Sequence, residues 1–158
     1  MVEVLEVSAE AEKAMAHVAS SVNLSNVRMK LADPEEGKGY GDTHLALMET
    51  EYRKFLVLHL LYPGGEIVPC KLVDEFWHSH ILDTIAYRAD CHILFGAFLD
   101  HFPYFGMRGE EDAAALQDAY VATLERYQIA FGPPPAGTWI SADAASCKRT
   151  NCKPQKCK

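Results

Sequence analysis

The chain has 158 residues, enough for one domain that buries roughly two thirds of its unfolded surface, and its 49% hydrophobic content is ordinary for a globular protein. No apolar run approaches the roughly 18 residues of a membrane span, and the residues from Met1 to Val7 lack the basic-then-apolar order of a secretory signal, so a cytoplasmic protein with no membrane partner is expected. Of the 15 Lys and Arg residues, five lie in the last twelve positions; the remaining ten face 22 acids, a net −12 on the body that argues against a nucleic-acid-binding face there.

In chain order, periodicity and punctuation predict a mostly α fold, one compact helical domain of about five helices over residues 1–132. Ser8 to about Val22 reads as a helix, with Ala11, Met15, Val18 and Val22 at three- and four-residue spacing. Asn23 to Gly41, with Asp33-Pro34 and three glycines, reads as a long surface connection. A second helix starts at Asp42-Thr43, buries Leu45, Met48, Tyr52, Phe55, Leu56 and His59, and stops at Pro63-Gly64-Gly65. Glu66 to Pro69 suits an extended piece, Lys71 to about Leu82 a third helix, and Thr84 to Leu99 a fourth or its continuation. His101 to Gly106 is an aromatic loop. The last helix opens on Glu110, Glu111 and Asp112, where acids suit the macrodipole, and lines one face with Ala113, Leu116, Tyr120, Leu124, Tyr127 and Phe131 before Gly132 and three prolines end it. Residues 133–146 then read as a linker, and 147–158 as a flexible basic tail.

The chemistry concentrates between Asp74 and Cys91. Two histidines, three aspartates, a tyrosine and a cysteine share a segment that otherwise reads as a buried helix with Trp77 in its core. On a regular helix His78 and His80 point about 200° apart and cannot chelate one ion. His78 then shares a face with Asp74, and His80 with Asp83, Thr84 and Tyr87, which in turn neighbours Asp90 and Cys91. If the helix kinks near Ser79, both histidines can converge with His101 from the aromatic loop. His78, His80 and His101 are thus candidate ligands for zinc, iron or copper, and Asp74, Asp83, Tyr87 and Asp90 candidates to orient the rings. The competing reading is a network in which these side chains satisfy one another. His17, His44, His59 and His92 are expected to be ordinary histidines.

Asp74, Trp77-His78-Ser79-His80, Tyr87, Asp90-Cys91 and Phe95-Gly96 resemble the Asp-x-x-Trp-His-x-His motif of the glycine-rich domain-containing protein-like family, over roughly residues 51–131. The resemblance implies a shared domain in which Trp77, His78 and His80 belong together. It implies no reaction, and the chain lacks a glycine-rich stretch.

Cys70 and Cys91 are expected to be free, buried thiols. Cys147, Cys152 and Cys157 recur every five residues among cations, which lowers thiol pKa values and suits a soft metal, disulfides, a modified peptide or contact with an acidic protein. No serine elbow, phosphate-cradling glycine loop, dinucleotide fingerprint or His-Glu-x-x-His is present. Two functional classes follow: a metal-binding protein, with or without catalysis, or an interaction domain whose working part is the cysteine tail.

Overall fold

The structure, a computed structural model, describes residues 1–140; Cys147, Cys152, Cys157, the basic tail and the linker beyond residue 140 lie outside the described residues. Six helices, α1 (Val2–Ser21), α2 (Ser25–Ala32), α3 (Asp42–Leu61), α4 (Lys71–Leu82), α5 (Thr84–Phe95) and α6 (Glu110–Phe131), form one helical domain with no strand among those residues. None of these helices is long and apolar enough to cross a membrane.

The central element is α3, which packs against α1, α2, α4 and α6. Its stripe of Leu45, Met48, Tyr52, Phe55 and Leu56 is buried as the spacing predicts, and Glu51, Val57 and Leu58 are buried too, because neighbours cover more than one face. One element was read as a connection and is a helix: α2 buries Val27 and Leu31, one turn apart, against α3 and α4. The α1 helix begins at Val2, earlier than Ser8, although its exposed Val2, Val4 and Leu5 give the first turns no buried stripe. Residues 66–69 pair with no strand; instead the Val68 amide donates to Thr123 Oγ1 of α6 at 3.0 Å.

The bounds of α4 match the reading, and α5 stops at Phe95 because Gly96 takes a left-handed conformation (φ 66°) that ends it. The loop from His101 to Arg108 is seated on α6 at two points. Asp112 accepts from the Gly106 amide at 2.7 Å and from Arg108, and Gly106 (φ 87°) lies so close to Leu116 that a β-carbon there would overlap that side chain. The predicted boundary at residue 132 also moves. Thr138 and Trp139 are buried, and the Ile140 carbonyl accepts from Tyr120, so the packed body reaches at least Ile140.

Trp139 closes a buried polar network. Glu51, fully buried, accepts from Lys54 Nζ at 2.9 Å, from the Tyr127 hydroxyl at 2.7 Å and from Trp139 Nε1 at 2.9 Å. Each carboxylate oxygen therefore has a donor, which is what a buried charge requires.

Candidate metal centre

Helix α4 is regular through Ser79, so His78 and His80 diverge, and the structure separates them into two different environments. His78 stands one turn after Asp74 and meets His101 from the aromatic loop. The Nε2 atoms of His78 and His101 are 2.8 Å apart; Asp74 Oδ1 lies 3.1 Å from His101 Nε2 and 3.5 Å from His78 Nε2. Asp74, expected to orient a ring, thus offers its own oxygen to the same group, and these three residues form a triad of ligand atoms within reach of one ion. His80 is not brought to it.

The placement of His101 has a traceable cause. Trp77, buried on α4, donates Nε1–H to the Tyr87 hydroxyl at 2.9 Å, and Tyr87 donates to the Leu99 carbonyl at 2.6 Å. That chain fixes the backbone two residues before His101, and the Trp77 ring packs on the His101 ring with centroids 4.4 Å apart. Tyr87 therefore acts through Trp77 and the loop. Burial raises its pKa, so it stays a neutral donor.

Two imidazole nitrogens and a carboxylate oxygen face one another, and one Nε2–H can be donated to only one partner at full strength, leaving lone pairs directed at lone pairs. A cation at the centre would satisfy all three at once. The side chains of Asp74 and His101 are each 18% exposed and that of His78 is 51% exposed, so one side of the group faces solvent.

His80 belongs to a separate buried network. It is 2% exposed, its Nδ1 lies 2.7 Å from the Tyr52 hydroxyl, and its Nε2 lies 2.8 Å from Asp90 Oδ2. Burial lowers the imidazole pKa and the Asp90 carboxylate opposes that shift; the neutral ring donates Nε2–H to Asp90 and accepts from Tyr52, so every member is satisfied. Burial likewise raises the Tyr52 pKa well above its ordinary value. Asp90 thus holds the His80 ring within this buried network, away from the triad. Asp83 does something else: it is the N-cap of α5, accepting from the Ala86 amide at 3.4 Å.

Cys70 and Cys91 are buried free thiols; desolvation raises both, Cys70 to about 12, which suppresses thiolate chemistry. Sequence reasoning missed two groups. Glu51 carries no local signal of burial, because its donors Tyr127 and Trp139 lie 76 and 88 residues away in sequence. His59, expected to be an ordinary histidine, has a buried Nε2 with no hydrogen-bond partner among the described residues, and burial lowers its pKa to about 4.

Compared with known proteins, the chain matches the model of the UCP032817-like family over residues 25–132, from α2 to the end of α6. This overturns the resemblance to the glycine-rich domain-containing family: a short Trp-His-x-His core supported that likeness, whereas the match spans most of the helical body. No curated protein and no solved structure matches.

Proposed function

We propose that this chain, which belongs to the UCP032817-like family, is a small metal-binding protein whose ion is held by Asp74, His78 and His101. The observation that carries the reading is the convergence of two imidazole nitrogens and one carboxylate oxygen within 3.5 Å of one another. Two histidines and a carboxylate on one side of an ion leave other positions open for water or a ligand, a donor set that suits zinc(II) or iron(II). Copper(II) prefers a tetragonal arrangement, which three converging atoms alone do not supply. Bound there, the ion would supply Lewis acidity to whatever occupies the open positions.

The chain's own residues divide the work. Asp74 contributes a negative charge that offsets part of the ion's charge, and the regular α4 backbone sets its distance from His78. Trp77 and Tyr87 hold the loop that delivers His101. His80, Tyr52 and Asp90 secure the α3–α4–α5 packing behind the site.

The direct test is metal content. Protein purified without an affinity tag and dialysed against zinc or iron(II) should retain about one ion per chain, while His78→Ala and His101→Ala should each retain far less. Equal retention by all three proteins would refute the assignment.

A further inference from the structure

A cleft of about 810 Å³ opens beside the triad, with Asp74, Trp77 and His101 in its wall. We infer that this cleft takes a largely apolar, neutral or singly charged organic ligand whose oxygen-bearing head reaches the open position of the ion; the inference rests on the metal reading above and specifies its ligand.

Three observations set the ligand class. The volume falls in the range of sites for small organic molecules, roughly 300–1,000 Å³. The interior is lined by aliphatic and aromatic groups, among them Ile67, Val68, Leu72, Leu116 and Phe105, drawn from the 66–70 segment, α4, α6 and the aromatic loop. At the mouth, Phe102 is 55% and Met107 59% exposed, so apolar surface continues outward from the cleft. Charge narrows the class further. The lining acids Glu66, Asp74, Glu75 and Asp100 outnumber the lining cations Lys71 and Arg108, and Arg108 is already bound to Asp112. Even with the two charges of the ion, these acids and cations only balance, so a nucleotide or other polyanion would find no surplus of positive charge there. A single metal-ligating oxygen group on an apolar body meets none of that difficulty, because the ion itself receives the oxygen.

Alkyl hydroxamic acids of increasing length test this, since the head binds zinc and the chain reads the cleft. Titrated into tag-free, zinc-loaded protein, acetohydroxamic acid should bind weakly, and each further methylene up to octanohydroxamic acid should tighten binding by up to about fourfold. Leu72→Trp, which fills the cleft from a partly exposed position, should abolish the chain-length gain while leaving zinc stoichiometry and the thermal midpoint near wild type; Leu72→Phe serves as a second, smaller filling variant. Zinc bound normally, with hydroxamate affinity independent of chain length, overturns the inference and leaves the metal site standing. A chain-length gain that survives both filling variants also overturns it. Protein that binds no zinc fails at the earlier step, and the inference falls with it.

Discussion

Substitution of Glu51 probes how strongly the helical body depends on one buried charge. The carboxylate is fully buried: Oε2 accepts from Tyr127 and Trp139, and Oε1 from Lys54. In Glu51→Gln the amide can keep its oxygen toward Tyr127 and Trp139 only by turning its NH2 group against the Lys54 ammonium. That loses one charge-assisted hydrogen bond, about 1.5–3 kcal/mol, and weakens the two that remain. Lys54 is 20% exposed and can turn toward water, which limits the penalty. The expected loss is about 3 kcal/mol, or roughly 6–12 °C in Tm for a chain of this size. Glu51→Leu should cost more, about 5 kcal/mol, because Tyr127 and Trp139 lose their shared acceptor inside the core. Urea unfolding followed by far-ultraviolet circular dichroism gives both values. A loss below about 1 kcal/mol for the leucine variant would show that the network does not hold α3, α6 and the 138–140 segment together.

Other substitutions separate the two histidine environments and the wall between them. Tyr52→Phe removes the donor to His80 Nδ1 and should cost about 1–2 kcal/mol by chemical denaturation without changing zinc affinity. Trp77→Ala should cost roughly 3–5 kcal/mol and also weaken metal binding, since the ring supports His101 by contact and through Tyr87; an unchanged melting midpoint would refute its core role. His59, held neutral by burial with a pKa lowered from 6.5 to about 4, contributes stability above pH 6.5 that is lost as pH falls toward 4, about 3 kcal/mol in all. His59→Phe should therefore flatten the acid limb of a stability–pH curve between pH 6.5 and 4. It should not destabilise the protein at pH 7, because the buried Nε2 without a partner is gone. A variant curve parallel to wild type would contradict this.

The legible parts of the fold were those with local causes. The α4 helix and α6 announce themselves by apolar spacing and first-turn acids, and the aromatic loop by Pro103 and Gly106. Helix α2 is a single short stretch with only Val27 and Leu31 to mark a face, flanked by Asp33-Pro34, so its helicity comes from docking on α3 and α4 rather than from pattern. At the site, spacing alone showed that His78 and His80 diverge on a regular helix. Which of them His101 would join depends on where the loop is tied, through Trp77, Tyr87 and Leu99, and that is tertiary information. For the same reason Asp74 could be placed beside His78 from sequence, but the convergence of its Oδ1 with the His101 ring could not. The prolines at 133–135 mask the one signal for Trp139, a large aromatic that gains by finding a core even beyond a linker-like stretch.

The central claim is that Asp74, His78 and His101, and not His80, hold an ion. Zinc titration against a competing chelator measures it directly, with wild type, His78→Ala, His101→Ala and His80→Ala compared in tag-free protein truncated after Ile140, so that the tail thiols contribute nothing. The account predicts a wild-type Kd below about 10 μM, roughly −7 kcal/mol, at least a 10-fold loss for His78→Ala and His101→Ala, and an unchanged Kd for folded His80→Ala. Wild-type binding weaker than about 10 μM, or a loss on His80→Ala equal to that on His78→Ala, would contradict it.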